Sequence, residues 1–324
     1  MKNKSHQTMR AVAIDEFGGI EKMKLRELPV PEVAPDEILI RVDTAGVGVW
    51  DPFEREGGFA KEFDMQPNFP HVLGWDGAGT VEEAGGDVHN LKRGDRVYGI
   101  NFLSPRGGFY AEFTAIKANN AATIPPALST RDAGVLATDG ITALDGLDKA
   151  LLLKAGESIL ILGASGGIGH LAVQLAKRIN ARVLAVASGP DGVEFVKRLG
   201  PDKVIDGHRE DILKAAHEFA SKGLDAALLT AGGKAAEQAI TALREGGRAA
   251  YPNGVEDVPQ ARDGVKVMSY NGEPDPRTFA KLNELIDAAP FEVHIARTFK
   301  LEDAAKAQQA LNDHYLGKLA LVLS

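Results

Sequence analysis

The chain has 324 residues, of which 44% are hydrophobic and 25% charged, and its formal net charge is −8. This composition is typical of a globular protein, and the length is sufficient for two domains. The negative charge argues against nucleic acid or an anionic membrane as the main partner, because either would attract a basic surface. The absence of cysteine excludes disulfides, thiolate zinc ligands and cysteine nucleophiles.

No apolar run reaches the roughly 18 residues that suggest a membrane-spanning helix. The polar segment Met1–Thr8 lacks the apolar core of a signal peptide, and we expect it to be a frayed tail. These features predict a cytoplasmic protein without a membrane partner.

The first part of the chain is predicted to be rich in β-strands. Short apolar runs such as Ile38–Val42 and Arg96–Tyr98 are separated by turn residues, for example Gly94 and Asp95. We therefore predict a β-rich domain over residues 1–125.

From Ser129 onward the pattern changes to alternating helices and strands. Arg131–Ala150 has helical spacing, and short apolar runs then alternate with amphipathic segments. The strand candidates are Ser158–Leu162, Arg182–Ala187, Lys203–Ile205, Ala226–Leu229, Arg248–Tyr251 and Val265–Met268. The helix candidates between them are Gly192–Leu199, Ile212–Phe219 and Ala235–Arg244. This alternation predicts an α/β fold with a doubly wound parallel sheet over residues 126–269.

The remaining residues, 270–324, contain a predicted helix at Pro276–Ala288, a strand near His294–Phe299, another helix from Leu301 and an apolar end at Leu319–Leu323. This tail is too short to fold alone, and we expect it to pack onto the first domain.

A glycine-rich turn between a predicted strand and a predicted helix is the most informative motif. It follows the pattern Ala164-x-Gly166-x-x-Gly169, a variant of the dinucleotide fingerprint with alanine at the first position. Glycines let the backbone approach a pyrophosphate, and the unpaired N–H groups at the helix start bind its charge. The alternative is a βαβ turn that packs and binds nothing. The residues assigned to the pyrophosphate are Gly163, Ala164, Ser165, Gly166, Gly167, Ile168 and Gly169.

Several motifs together resemble the medium-chain dehydrogenase/reductase superfamily, and most closely its zinc-free quinone oxidoreductase (zeta-crystallin-like) branch. The resemblance implies a GroES-like β-rich catalytic domain and a Rossmann domain that binds a nicotinamide cofactor. The segments that carry it are Gly74–Val81, Lys92–Gly99, Gly163–Lys177, Arg198–Gly200, Val204–Asp206 and Glu245–Arg248.

The resemblance also indicates where a zinc site would be. At the ligand positions of zinc-dependent members this chain has Gly48, Trp75 and Thr138, and Trp50 replaces their relay hydroxyl. Catalytic zinc needs about three protein ligands, so no zinc is expected. The alternative is a different, oxygen-rich metal site built from His71, Asp76 and Asp139. We interpret His71 as a hydrogen-bonded loop histidine, and Asp51 and Asp76 as structural hydrogen-bond partners.

Ser188 follows the second predicted strand, where NAD-selective members place an acidic residue that binds the ribose. Serine leaves room for a 2′-phosphate, so NADPH is the predicted cofactor, with NADH as the alternative. The branch often has a lysine where this chain has Gly192, and Asp191 lies nearby. Positive charge could instead come from His208, Arg209 or Lys318, for which ordinary surface charge is the alternative.

Further candidate site residues come in part from positions in the family and in part from residue type. Thr142 contacts the cofactor there, with a helix cap as the alternative. The predicted substrate aromatics are Trp50, Phe53, Trp75, Phe102 and Tyr251, and core packing is the alternative for each. Asp139 could donate a proton or could cap a helix, and we favour the cap. Asp139 and Tyr251 are the candidate catalytic residues.

Without a Lewis acid, nothing stabilises the alkoxide formed when an alcohol is oxidised. Hydride transfer to a quinone or an α,β-unsaturated carbonyl needs only a few donors at an oxygen. The predicted function is therefore zinc-independent, NADPH-dependent reduction of such acceptors. A cofactor-binding structural or regulatory protein with little turnover is the alternative. In the resembling family dimers pair through the last Rossmann strand, so the edge at Val265–Met268 predicts a homodimer.

Overall fold

The computed structural model describes residues 7–102, 104–257 and 260–323. Most of the predicted N-terminal tail, residues 1–6, lies outside them. The chain forms two compact units. Unit 1 comprises the residues up to Thr138, Pro274–Ala280 and the residues from Ile295 onward, and unit 2 comprises Asp139–Glu273 and Lys281–His294.

The strands of the described residues are numbered in chain order. They are β1 (Thr8–Ile14), β2 (Lys24–Pro29), β3 (Glu37–Val47), β4 (His71–Val72), β5 (Asp76–Ala84), β6 (Arg96–Ile100), β7 (Phe113–Lys117), β8 (Ala121–Thr123), β9 (Ser158–Leu162), β10 (Arg182–Ala187), β11 (Lys203–Asp206), β12 (Leu224–Leu229), β13 (Leu243–Pro252), β14 (Lys266–Tyr270), β15 (Ile295–Lys300) and β16 (Lys318–Val322).

The α-helices of the same residues are α1 (Asp51–Arg55), α2 (Gly58–Glu62), α3 (Thr130–Ala133), α4 (Ala137–Asp145), α5 (Gly167–Arg178), α6 (Gly189–Arg198), α7 (Ile212–Phe219), α8 (Gly233–Thr241), α9 (Pro276–Asp287) and α10 (Ala304–Gln309). A π-helical turn, Gly146–Ala150, follows α4 directly. Short 3-10 turns lie at Ile20–Lys22, Ala118–Asn120, Leu301–Asp303 and Ala310–Asn312.

Unit 1 is built on two sheets. The larger has the order β15-β16-β3-β5-β6-β8, with β7 also paired to β3, and the smaller has the order β2-β1-β4. Strand β3 is central because it pairs antiparallel with β5, β7 and β16. The alternate residues Ile38, Ile40 and Val42 of β3 belong to the apolar core of this unit. Strands β15 and β16 thus bring the end of the chain into the first sheet.

Unit 2 is built on one parallel sheet with the order β11-β10-β9-β12-β13-β14. Along the chain this is the order 3-2-1-4-5-6 of a doubly wound nucleotide-binding fold. Every residue of β9 is buried, as expected for a central parallel strand that is covered on both faces. The predicted doubly wound sheet is therefore confirmed.

The structure differs from the sequence prediction in two segments. The helix predicted for residues 131–150 is divided into α3, α4 and the π-helical turn, and Gly134 lies in the first break. A Cβ at Gly134 would stand 2.6 Å from Cβ of Thr44, so the chain passes close to β3 there. The tail predicted to join the first domain contributes Lys281–His294 to unit 2. Arg178 on α5 holds that segment by donating to the carbonyls of Leu285, Ile286, Ala289 and Pro290.

Candidate cofactor and substrate sites

The predicted glycine fingerprint joins β9 to α5 in a tight turn. Gly163 has φ +75°, in the left-handed region that favours glycine, and a Cβ there would stand 2.2 Å from Oγ1 of Thr230. A Cβ on Gly169 would stand 2.1 Å from the carbonyl oxygen of Gly163. Both positions therefore need glycine so that the first turn of α5 can pack against the loop.

Gly166 has a different environment, because the space beside it is open. It precedes α5 with φ −84° and ψ −175°. A Cβ there would approach the Gly163 carbonyl oxygen at 3.4 Å and no other atom of the described residues within 4 Å. The first N–H groups of an α-helix have no partner within the helix, and the helix dipole attracts negative charge to them. An open glycine surface in front of these groups fits the pyrophosphate of a dinucleotide cofactor.

The end of β10 lies beside this loop. The N–H of Ser188 donates to Oγ of Ser165 at 3.4 Å, and Ser188 directly precedes α6. The Ser188 side chain makes no helix-capping hydrogen bond. The structure therefore brings two of the predicted cofactor residues, Ser165 and Ser188, together.

Sequence reasoning missed the role of Asp206, which ends β11 next to this turn. Its Oδ1 accepts the N–H groups of Gly189 at 3.2 Å and His208 at 3.0 Å. These hydrogen bonds, that of His208 foremost, keep the pKa of Asp206 below its ordinary value despite desolvation. Nε of Arg209 lies 3.7 Å from Oδ2 of Asp206. The available signal was that Asp206 and Ser188 end neighbouring parallel strands, so both stand at the same edge of the sheet.

Thr142 and Asp139 both lie in α4 and are buried, with 8% and 2% of their surface exposed. Thr142 is inside the helix rather than at its start, so it does not cap the segment after it. A Cβ on Gly272 would stand 2.5 Å from Oγ1 of Thr142, and the chain beyond β14 therefore passes close to this hydroxyl. Asp139 is in the first turn of α4, where a carboxylate stabilises a helix.

Tyr251 lies near the end of β13 and is half-buried. Its ring packs against the apolar cluster that includes Ala249 of the same strand and Ala239 and Ile240 of α8. This position corresponds to the core-packing alternative considered for Tyr251.

Unit 1 gathers six aromatic side chains, which we call the aromatic cluster: Trp50, Phe53, Phe59, Phe63, Trp75 and Phe102. It contains all four substrate residues predicted for this part of the chain.

Phe59 connects the cluster, with its ring centroid 4.7 Å from those of Phe53 and Trp75. The centroid of the Phe102 ring lies 4.2 Å from that of Trp75, with the two ring planes tilted by 51°, and 6.1 Å from that of Phe59. Phe53, Phe63 and Phe102 are 46%, 48% and 39% exposed, so the cluster presents an aromatic surface. The sequence analysis missed Phe59 and Phe63, although their spacing of one helical turn was a usable signal.

The positions corresponding to zinc ligands lie in or near this cluster. A Cβ on Gly48 would stand 2.2 Å from Cε2 of Trp50, so the indole ring fills the space that a ligand side chain would need. The centroid of the Trp75 ring lies 5.7 Å from that of Trp50. The N–H of Thr138 donates to Oδ2 of Asp76 at 3.0 Å.

Lys318 is buried on β16, and its Nζ lies 4.8 Å from the centroid of the Trp50 ring. This distance is typical of a cation–π contact. The structure therefore places Lys318 beside the aromatic cluster, and the interpretation of Lys318 as ordinary surface charge is wrong, because the side chain is buried.

A buried polar network lies next to the cluster. Asp51 accepts the hydroxyl of Tyr110 at 2.6 Å and the N–H of Gly48 at 2.9 Å. Burial, reinforced by the nearby Glu54, raises the pKa of Asp51 from 3.8 to about 8. The structural role expected for Asp51 follows from these contacts.

The sequence predicts a loop position for His71. The structure instead places His71 in β4, because residues 71 and 72 pair with β1. Its Nε2 lies 3.2 Å from Oε1 of Glu54. Across the parts of the chain that the structure describes, no group of three or more His, Asp or Glu side chains is arranged to hold a metal ion. Among the same residues, no helix has the length and apolarity needed to cross a bilayer.

Comparison with known proteins identifies the family. Residues 34–126 match the alcohol dehydrogenase GroES-like domain, and residues 167–259 match the zinc-binding dehydrogenase domain. A quinone oxidoreductase of Rattus norvegicus is 30% identical over 330 residues, which cover 97% of this chain and 98% of the relative. The chain belongs to the medium-chain dehydrogenase/reductase superfamily.

Other relatives agree with this assignment. An NADPH-dependent alkenal/one oxidoreductase of Arabidopsis thaliana is 31% identical and matches 86% of this chain and 70% of its own length. The structure of the quinone oxidoreductase from Coxiella burnetii aligns with a TM-score of 0.83 and 30% identity, covering 98% of this chain and all of that one. This medium-chain dehydrogenase/reductase is thus a member of the quinone oxidoreductase branch. It is an NAD(P)H-dependent oxidoreductase with a GroES-like domain and a Rossmann domain.

Proposed function

We propose that this enzyme is a zinc-independent, NADPH-dependent reductase that transfers hydride to a quinone or an α,β-unsaturated carbonyl. The observation that carries the proposal is the packing of Trp50 against Gly48, with Trp75 beside it. Indole rings stand where zinc-dependent members have a ligand and a relay hydroxyl. The names of the relatives, quinone oxidoreductase and alkenal/one oxidoreductase, support the same acceptor class.

The chemistry of the acceptor follows from this replacement. Oxidising an alcohol requires stabilisation of an alkoxide, which a metal ion would supply and indole rings do not. A quinone or enone is already electron-poor, and the charge that develops on reduction spreads onto an oxygen. The half-exposed rings of Phe53 and Phe102 offer apolar, aromatic contact to a flat acceptor of this kind.

The cofactor assignment depends on the glycine loop and on Ser188. When bound, a dihydronicotinamide would supply the hydride, and the loop residues 163–169 would hold its pyrophosphate. At the end of β10, Ser188 contributes no negative charge against a 2′-phosphate. Two carboxylates lie near Ser188. Asp191 is in the first turn of α6. Asp206 accepts two backbone N–H groups and lies close to Arg209, which reduces its repulsion of a phosphate.

The roles of the remaining candidates are part of the proposal. Thr142 and Lys318 are assigned to the cofactor, and Tyr251 and Asp139 to the catalytic region. Enone reduction needs a proton at carbon after hydride transfer. Asp139 is the candidate donor, and its place in the first turn of α4 equally fits the favoured capping role; the Asp139→Asn variant distinguishes the two. Reduction of a quinone places its proton on oxygen, and oxygen exchanges protons with water without a dedicated donor. Asp139→Asn should therefore depress enone reduction and affect quinone reduction less.

A screen of NADPH oxidation over quinones, enones and simple alcohols tests the proposal. We expect turnover with a quinone or an enone and negligible alcohol oxidation. Alcohol oxidation faster than reduction of any quinone or enone in the screen would overturn the mechanism. No turnover with any acceptor, with cofactor binding intact, would favour a structural or regulatory cofactor-binding protein.

A matched pair of variants tests the glycine loop itself. Gly166→Ala places a methyl group in the open space of the proposed pyrophosphate site and meets only an ordinary contact at 3.4 Å. Gly86→Ala adds a methyl group in unit 1 with no atom of the described residues within 4 Å. We expect Gly166→Ala to weaken NADPH binding with an unchanged melting temperature, and Gly86→Ala to change neither. Unchanged binding in Gly166→Ala would contradict the assignment of the loop.

A further inference from the structure

His170 is a fully buried histidine on α5, one turn after the loop glycine Gly166. Its Nδ1 lies 2.8 Å from the carbonyl oxygen of Gly166. The backbone N–H of His170 donates to the same oxygen at 3.1 Å. One residue thus engages the Gly166 carbonyl twice, through its main chain and through its side chain.

The other ring nitrogen determines the tautomer. The backbone N–H of His294 points to Nε2 of His170 at 3.3 Å, so Nε2 accepts a hydrogen bond. A neutral imidazole has one donor and one acceptor nitrogen, and Nδ1 is therefore the donor to Gly166. Burial lowers the pKa of His170 to about 4, with Asp139 and the backbone contacts opposing this shift in part and His294 adding to it. The ring is neutral near pH 7.

The Gly166 carbonyl matters because of the peptide plane to which it belongs. The carbonyl of Gly166 and the N–H of Gly167 are parts of one planar trans peptide, and they point in opposite directions. Holding the carbonyl toward α5 therefore directs the Gly167 N–H away from the body of the helix. Both flanking residues are glycines, which resist rotation of this peptide less than any other residue.

We propose that His170 is a positioning residue for cofactor binding, which holds the Gly166–Gly167 peptide so that the Gly167 N–H faces the pyrophosphate. The proposal rests on the assignment of the pyrophosphate to this loop. It gives the hydrogen bond to Gly166 a function distinct from the stabilisation of α5.

Two substitutions separate the contacts of the ring. In His170→Asn the side-chain amide lies at the position of Nδ1 and can still donate to Gly166. In His170→Gln the amide extends to the position of Nε2 and retains only the contact with His294. Gln174 supplies a control, because its side chain donates to the carbonyls of His170 and Glu292 and accepts the Glu292 N–H, without contact to the loop.

The measurements are the Kd of NADPH without any acceptor and the melting temperature of each variant. We expect Kd to rise about ten-fold in His170→Gln, equivalent to about 1.4 kcal/mol. In His170→Asn the Kd should stay within about two-fold of the wild-type value, because the asparagine amide retains the hydrogen bond to the Gly166 carbonyl. Gln174→Leu should lower the melting temperature and leave Kd unchanged.

An unchanged Kd in His170→Gln would overturn the proposal. A Kd that rises in all three variants in proportion to the loss of melting temperature would overturn it as well. An independent measurement needs no variant: nitrogen NMR of the wild-type imidazole should show a neutral ring with the proton on Nδ1, and a charged ring or an Nε2 proton would overturn it. Cofactor binding without acceptor turnover would count against the proposed reductase function, but the comparison of NADPH Kd among the variants would remain valid. Unchanged NADPH binding in Gly166→Ala would remove the pyrophosphate assignment on which the positioning role of His170 depends.

Discussion

Replacement of Asp51 by asparagine should change how the stability of the protein depends on pH. Asp51 is completely buried at the start of α1, and its pKa is raised from 3.8 to about 8, chiefly by burial and then by Glu54. Asparagine has nearly the shape of the protonated carboxyl and can still accept the hydrogen bonds of Tyr110 and Gly48. It differs from aspartate in that it cannot ionise.

The sign follows from proton binding in the two states. Between pH 3.8 and about 8, the unfolded chain has lost the Asp51 proton and the folded chain keeps it. The stabilising contribution of Asp51 is therefore fully present at low pH and is lost as the pH rises toward 8. Across this window the contribution of Asp51 to the free energy of unfolding should fall by about 1.4 kcal/mol per pH unit.

Urea unfolding of wild type and Asp51→Asn provides the assay. Between about pH 5 and about pH 7, the free energy of unfolding of Asp51→Asn should rise by about 3 kcal/mol relative to that of wild type, because the interval spans two pH units of that slope. His170 has the opposite dependence, since its pKa is lowered from 6.5 to about 4, but it is present in both proteins and cancels in the difference. Asp87→Asn, at an exposed carboxylate of the same unit, is the control. A stability difference between wild type and Asp51→Asn that stays constant across this pH range would refute the reasoning.

The remaining predictions concern the cofactor, the loop, the metal and the assembly. Ser188→Asp should raise kcat/KM for NADH relative to kcat/KM for NADPH by about ten-fold, since the new carboxylate repels the 2′-phosphate of NADPH. Equal kcat/KM values for the two cofactors in wild type would remove the basis for this prediction. Gly169→Ala should destabilise unit 2 by about 1–3 kcal/mol, because its methyl group collides with the Gly163 carbonyl, and a wild-type melting temperature would contradict the packing described for the loop. Elemental analysis should find no stoichiometric zinc, and about one zinc per chain, lost together with activity on chelation, would disprove zinc independence. Light scattering should give a dimer mass, because β14 is an edge strand of the parallel sheet, and a monomer at micromolar concentration would count against it.

The parts of the site that could be predicted from sequence are those carried by consecutive residues. A short buried strand, a glycine turn and an amphipathic helix specify the nucleotide loop at residues 158–178, because each depends on local backbone geometry and periodicity. The alternation of strands and helices determines the parallel sheet for a similar reason, since a parallel connection needs a crossover helix. The aromatic residues at positions 50 and 75 could likewise be identified from their place in recognised motifs.

The tertiary structure alone decided which distant residues meet. Asp206 lies next to the Ser188–Gly189 turn because β10 and β11 are adjacent. The N–H of His294 contacts His170 because Arg178 holds the preceding segment, at Leu285, against α5. Long-range contacts of this kind leave no period in the sequence, since they depend on which strands pair and on how a returning segment packs. The sequence by itself therefore determined the cofactor loop and the order of the elements, and the packing of those elements determined the surroundings of the loop and the membership of the aromatic cluster.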